Sequence, residues 1–291
     1  MSRMGDEVVD GEPAAVELPA TVVVPLDGSE FAERALPHAV DVAEEFGARL
    51  VLVGSHPDGG DIEATRAYLR SCAVAHGHQE AECLVVTDRG PAASIGLVAG
   101  GHGGAVVVMA SHGRGAVRHL VLGSVAEQLL AEHAGPVLVV GPRADRVLGA
   151  RRAVAGPVVL GIDEHETDDT RIAIATAWAR THHARIELVS IVNPLRVRNP
   201  AAEEHERVAS RIDGFAGPRV VAVRSHFIEN HDPANELAVR ADAIGAGLIV
   251  VGTHSPTGVE RLLAGNVAMR VVHLAGCPVL VVSPTHTHAH A

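Results

Sequence analysis

Two stretches of this chain, Pro136-Val-Leu-Val-Val140 and Pro278-Val-Leu-Val-Val282, are identical, and the segments before them keep a common order. Pro91 and Pro233, Ala110 and Gly252, Gly123 and Gly265, and Pro136 and Pro278 each stand 142 residues apart. Asp27 and Asp163 stand 136 apart, so insertions between the first and third strands distinguish the halves. A period this long means a duplicated domain, because repeat arrays stack units of only about 20–50 residues. Each half must therefore close a core of its own, and both must do so with the same order of elements.

That order alternates short β-branched runs with segments of helical period. In the first half, Ala20 to Asp27 reads as a strand, and Leu36, Ala39, Val40, Ala43 and Phe46 as a helix stopped by Gly47. Leu50 to Val53, Leu84 to Thr87, Ala105 to Met109 and Pro136 to Val140 are further strands, separated by helices from Ile62, from Gly90-Pro-Ala and from Val125. The second half repeats the set: Val158 to Asp163, Ile186 to Val192, Val220 to Val223, Leu248 to Val251 and Pro278 to Val282, with a helix through Ile172, Ala175 and Ala179. Such alternation predicts an α/β fold, each half a five-stranded parallel sheet with helices on both faces. With 47% hydrophobic but only 2% aromatic residues, the core must be Val, Leu, Ile and Ala, which suits buried parallel strands. The expected boundaries are a polar tail at 1–18, a first domain at 19–142 and an Arg- and Gly-bearing linker at 143–156. A second domain at 157–284 and a His-bearing tail at 285–291 complete the chain.

Several functional classes fall away. A formal charge of −11 argues against a nucleic-acid or anionic-membrane surface. All 24 basic residues are Arg, which removes a P-loop lysine, a Schiff-base lysine and a kinase-type lysine. Cys72, Cys83 and Cys277 are odd in number and widely spaced, so neither a disulfide framework nor a zinc site follows. The acidic start is no signal peptide, and the apolar runs are too short to span a bilayer, which points to the cytosol. His76/His78 and His182/His183 sit where helices end, with no orienting carboxylate evident, and read as surface residues. His286, His288 and His290 read as a polar tail. Ser29, Ser111 and Ser124 have no His–Asp partner set that the sequence can show, so no catalytic or metal residue is assigned.

What remains is the stretch from Ala110 to Val125. A strand, a loop with Gly113 and Gly115, and a helix opening at Gly123-Ser124 form an anion site, because free N–H groups and the helix dipole favour negative charge. Asp27, at the end of the first strand, would converge on it at the switch point of the sheet and accept from an adenine amine or a ribose hydroxyl. The plain structural alternative is a pair of capping boxes, Ser124 with Glu127 and Asp27 with Glu30, with Asp163 and Glu166 as a third.

Val23-Val-Pro-Leu-Asp-Gly-Ser29, Gly90-Pro-Ala92, Ser111-His-Gly-Arg114 through Gly123-Ser124, and Pro136 to Val140 resemble the universal stress protein family, here as a tandem pair. The resemblance covers about residues 19 to 284. It implies Rossmann-like domains whose ATP-binding members carry Gly-x-x-Gly, nine residues, then Gly-Ser or Gly-Thr. Carried over, it places Pro25, Asp27 and Ser55 near the adenosine, and Ala110, Gly113, Arg114, Gly123, Ser124 and Val125 along the ribose and phosphates. Ala110 departs from the first glycine of that pattern. The second half keeps Asp163, Gly252 and Gly265, but Ser255 replaces a glycine, Pro256 removes a donor, and Asn266 replaces the Ser/Thr, although Asn still caps helices. The expectation is a cytosolic stress-response or regulatory protein binding ATP, with or without Mg2+, mainly in its first half. The alternatives are a slow ATPase or nucleotide-dependent enzyme, and a nucleotide-free scaffold. The identical apolar strands at 136–140 and 278–282 further predict that the halves pair there as a pseudo-dimer, with a homo-oligomer open.

Overall fold

The computed structural model describes residues 19–56, 59–112, 123–133, 135–144, 156–162, 169–192, 201–216, 221–252 and 261–283. The first half runs β1 (Thr21–Pro25), α1 (Glu30–Glu33), α2 (Ala35–Phe46), β2 (Arg49–Ser55), α3 (Ile62–Ala75), β3 (Glu82–Val86), α4 (Pro91–Gly100), β4 (Ala105–Ala110), α5 (Ser124–Glu132) and β5 (Val137–Val140). The second runs β6 (Val158–Gly161), α6 (Asp169–Thr181), β7 (Ile186–Val192), α7 (Ala201–Ala216), β8 (Val223–Glu229), α8 (Pro233–Ile244), β9 (Leu248–Gly252), α9 (Arg261–Leu274) and β10 (Val279–Val282). Gly47 ends α2 at φ 64, a left-handed conformation that a residue without Cβ takes at little cost.

The sheet order is β3-β2-β1-β4-β5-β10-β9-β6-β7-β8. Within each half every pairing is parallel, as the α/β alternation predicts. The halves do not keep separate sheets. β5 and β10 run antiparallel, with Leu138 opposite Leu280 and Val139 opposite Val279, and ten strands become one sheet. Both Val-Leu-Val-Val segments are buried throughout, so each supplies the edge that the other would otherwise expose.

Successive strand residues point to opposite faces, and both faces are apolar. Val22, Val24, Leu52, Val108 and Leu160 pack under α2, α3, α6 and α7 through Leu36, Leu69, Ile172 and Val208. Val23, Val53, Val107, Val159 and Val279 pack under α4, α5, α8 and α9 through Ile95, Leu129, Leu237 and Val271. Phe46 meets Trp178 across the halves at 5.0 Å between ring centroids.

One strand is displaced from its expected place. The third strand of the second half is Val223–Glu229, not Val220 to Val223. β8 is an edge strand with Arg224, Ser225, Phe227 and Glu229 exposed, so it carries little of the apolar signal that locates buried strands. Its position is set by the ladder to β7, from Ile186 opposite Val223 to Val192 opposite Glu229.

The chain leaves β5 through Gly141, hard against α9. A Cβ at Gly141 would overlap the carbonyl oxygen of Val272 and lie 3.1 Å from its carbon. Helix backbone cannot swing aside as a side chain can. Gly141→Ala is therefore expected to cost about 1–3 kcal/mol, seen as a fall of the thermal midpoint by several degrees. An unchanged midpoint would show that the seam has slack.

Candidate functional site

In each half the chain crosses from its first strand to neighbours on opposite sides, β1 lying between β2 and β4, and β6 between β7 and β9. The carboxyl ends of β1 and β4 thus frame a crevice of the kind in which open α/β sheets hold ligands. Asp27 lies at that edge, two residues past β1 and exposed. Ser29 donates to its Oδ1 twice, from the backbone N at 3.0 Å and from Oγ at 2.6 Å, across a turn at Gly28 with φ 79. The Asp27–Glu30 capping box does not form. Ser29 is the N-cap of α1 and accepts from Ala32 N at 3.2 Å, because Gly28 carries the chain one turn further before the helix begins. Asp27 is thereby held by the cap rather than used as one. Ser29→Ala removes the hydroxyl's bonds to Asp27 and from Ala32 N while keeping the backbone N–H to Asp27, and is expected to lower stability by about 1 kcal/mol in denaturant unfolding; no measurable change would mean that the hydroxyl contributes nothing to the cap.

On the other side of the crevice, Ala110 ends β4 and Ser111 N donates to Val140 O at 2.9 Å. Gly123 N then donates to Ser111 O at 2.8 Å. The chain therefore leaves and re-enters at one point, with Gly123 brought back to the tip of β4. Gly123 is the N-cap of α5, with φ −62 and ψ 144, and has no side chain to offer as a cap. The alternative reading of Ser124 and Glu127 as a capping box fails, because Ser124 is already the first helical residue, one place too late to cap. Ser124 is exposed and Val125 half-buried, and the first turn of α5 stands at the crevice with no capping oxygen from Gly123. Ser111 is buried, and its Oγ lies 3.0 Å from His112 Nδ1.

Pro25 ends β1 beside Val53, and Ser55 ends β2. The Ser55 hydroxyl lies 3.2 Å from Ser94 Oγ and 3.4 Å from Arg89 O, fastening the start of α4 to the sheet. Gly113 and Arg114 lie outside the described residues, as do Asp163, Ser255, Pro256 and both tails.

The second half builds the corresponding edge differently. α9 starts at Arg261, a full turn before Gly265, so Gly265 and Asn266 lie inside the helix and Asn266 is not its cap. Beyond the first turn, backbone N–H groups point back along the helix to the residue four before, and are closed to a ligand. Gly252 is filled from within. A Cβ there would overlap Nη1 of Arg171 and lie 3.2 Å from its Cζ, and Arg171 is 7% exposed. Ala35 and Ala110 hold the corresponding places in the first half, so a small pair is exchanged for an Arg over a glycine. Sequence reading missed this exchange; the signal was an Arg standing among Ile172, Ala175 and Ala179 on a helix face otherwise apolar.

The histidines are less superficial than their positions at helix ends suggested. His78 has Glu80 Oε1 at 3.4 Å and Glu44 Oε1 at 3.8 Å, and His182 packs on Trp178 at 5.8 Å. His205 is 2% exposed, sits 3.0 Å from Ser190 Oγ, and is pushed down to about 4 by burial, with His226 adding to it. His112 meets His273 of α9 at 5.4 Å. Among the described residues no three His, Cys, Asp or Glu side chains cluster to hold a metal ion, and no helix is long and apolar enough to cross a membrane.

The sheet order and the paired crevices define a class, two Rossmann-like α/β units in tandem. The sequence pattern of the universal stress protein family matches residues 20–141 and again 156–283, and the chain belongs to that family. It is 32% identical over 190 residues to a universal stress protein of Mycolicibacterium smegmatis, covering 62% of each chain. It is 30% identical over 192 residues to one of Mycobacterium tuberculosis, covering 61% of this chain and 58% of that one. The chain thus spans about three fifths of the length of the curated relatives it matches. The crystal structure of a universal stress protein from Archaeoglobus fulgidus matches with a TM-score of 0.67 at 17% identity, over 91% of this chain and 99% of that one. At that identity the likeness speaks for the fold alone.

Proposed function

We propose that this protein is a cytosolic stress-response or regulatory module that binds ATP in its first half, with a second half that has lost the site. The observation that carries the reading is the hydrogen bond from Gly123 N to Ser111 O, which sets a helix start with a bare glycine as its N-cap beside the crevice at whose edge Asp27 lies. A helix start of this kind suits phosphate, and a carboxylate across from it suits the hydroxyl and amine donors of adenosine. Gly113, Arg114, Ser124 and Val125 would complete the phosphate side, with Pro25 and Ser55 at the base. Arg171 over Gly252, and Gly265 within α9, support the asymmetry. In this reading the β5–β10 pairing makes the chain an intramolecular pseudo-dimer with one working site.

Mass spectrometry of small molecules released by denaturing the purified protein tests the reading. Adenine nucleotide in amounts approaching one per chain is expected, with steady-state ATP turnover at background. A protein that releases none and takes up none on titration would be a scaffold, and sustained turnover would make it an enzyme.

A further inference from the structure

The ten-stranded sheet ends at β3 on one side and at β8 on the other, and the two ends are unlike. β8 exposes Arg224 and Glu229, charges of the kind that blunt an edge against further pairing. β3 carries one charge, Glu82 at its amino end, with Oε2 3.9 Å from His102 Nε2 of its own chain. The rest of the strand, Cys83-Leu-Val-Val86, is half-buried and uncharged. It differs only in its first residue from Val137-Leu-Val-Val140 and Val279-Leu-Val-Val282, the two segments that join the halves. Among the described residues no strand lies beyond it.

The backbone of β3 is set for the same kind of pairing. His56 N donates to Val86 O at 2.8 Å, so by strand alternation Glu82, Leu84 and Val86 bond to β2, while Cys83 and Val85 turn their N–H and C=O groups outward. β5 has the same parity. Ser111 N and Val107 N donate to Val140 O and Pro136 O, which leaves Val137 and Val139 to bond β10. We infer that β3 pairs antiparallel with β3 of a second copy of this chain, in the register that β5 and β10 use, with Leu84 opposite Leu84 and Cys83 opposite Val85. A two-fold axis at Leu84 makes that contact self-complementary and keeps the two Glu82 side chains apart, each opposite a Val86. A like strand is the favoured occupant because this sheet already closes one apolar edge on its near-identical counterpart, and β3 is the free end of that same sheet. None of these residues belongs to the nucleotide reading, so the inference stands apart from it.

Sedimentation velocity of the full chain over the micromolar range is expected to show a reversible step from one chain mass to two. Val85→Pro deletes an outward N–H and keeps the ladder to β2, and a symmetric pair loses that donor twice. The dissociation constant should rise roughly thirtyfold, the worth of two net hydrogen bonds. Ser225→Pro makes the same change on β8, where Ile186 N donates to Ala222 O and Ser225 therefore faces outward, and it should leave the dimer as it was. Leu84→Cys sets two thiols across a non-hydrogen-bonded pair, about 4.5 Å apart at Cα and within reach of a disulfide. Copper-phenanthroline oxidation should then link two chains on a non-reducing gel. The unaltered protein, whose Cys83 faces Val85 of the partner subunit, should stay unlinked. A chain that remains single at every concentration overturns the inference, whether its own residues 1–18 or nothing covers β3. A dimer that folded Val85→Pro leaves intact, or that Leu84→Cys fails to link, overturns it as well. Where Val85→Pro does not fold, the cross-link alone decides.

Discussion

Titration of the intact chain with ATP is expected to give a stoichiometry close to one, abolished by Gly123→Val and by Asp27→Ala but barely changed by Asp163→Ala. Gly123 is the point at which the backbone returns to the end of β4, held by its own N–H to Ser111 O at 2.8 Å. A valine there would set its side chain across the opening of α5, between phosphate and the first-turn N–H groups. A charge-assisted hydrogen bond to phosphate is worth on the order of 1.5–3 kcal/mol. Loss of two weakens binding by roughly two to four powers of ten, since about 1.4 kcal/mol is one power. The same arithmetic empties the second half, where α9 has already begun at Arg261 and Gly265 offers no open N–H. Two sites of equal affinity, or one that responds only to Asp163, would show the working half to be the second. Full affinity in a folded Gly123→Val protein would remove the phosphate from α5 altogether.

The largest expected change in stability comes from Glu187. It lies fully buried in β7, on the sheet face where the first half has Val51, and it is held by three side chains. Arg185 Nε donates to it at 2.5 Å and Arg240 Nη2 at 3.1 Å, and His226 Nε2 contacts the same carboxylate. Burial by itself would raise the Glu187 pKa, but Arg185, Arg240 and His226 together hold it down to about 2. Glu187→Ala leaves two guanidinium groups, 34% and 29% exposed, without their carboxylate, and is expected to cost about 3 kcal/mol, the low end for breaking a buried ion cluster. Glu187→Val combined with Arg240→Leu should recover most of that loss, because a well-packed apolar replacement of the whole pair is often neutral. If Glu187→Ala unfolds at the same denaturant midpoint as the unaltered protein, the cluster contributes nothing.

Acid should expose the same region. A carboxyl whose folded value is about 2 against an ordinary 4.5 adds stability that is complete above about pH 4.5 and is lost as pH falls towards 2. The loss amounts to roughly 3 kcal/mol at about 1.4 kcal/mol for each unit. His205 acts earlier. Folded, it resists protonation until about pH 4, whereas the unfolded chain takes up the proton near 6.5, so stability declines across that interval first. The thermal midpoint should thus fall in two stages, below about pH 6.5 and again below about 4.5. His205→Gln should flatten the first stage and leave the second, and a single fall below pH 4.5 in the unaltered protein would remove His205 from the account.

The duplication, the alternation of strand and helix, and the parallel sense of each half were all legible in the sequence. They rest on patterns in the chain itself: runs such as Val22-Val-Val24 that only a doubly covered strand can bury, a helix closed by Gly47, and an offset of 142 residues that recurs. The positions of Asp27 past a strand end and of Gly123 and Ser124 at a helix start were legible too, because strand ends and turn glycines mark where a parallel sheet opens. Their immediate roles were not. Their spacing to Glu30 and Glu127 left a capping role for Asp27 and Ser124 as the alternative, and only the turn at Gly28 and the return of Gly123 to Ser111 show that neither caps. Two further features were decided by tertiary structure alone. Arg171 fills the space over Gly252, and Glu187 gathers partners from β8 and α8. Each joins residues far apart in the chain, and periodicity carries no term for such contacts. A sequence states which faces must be buried; what buries them, and which cavity or charge is left at the join, follows only when the folded surfaces meet.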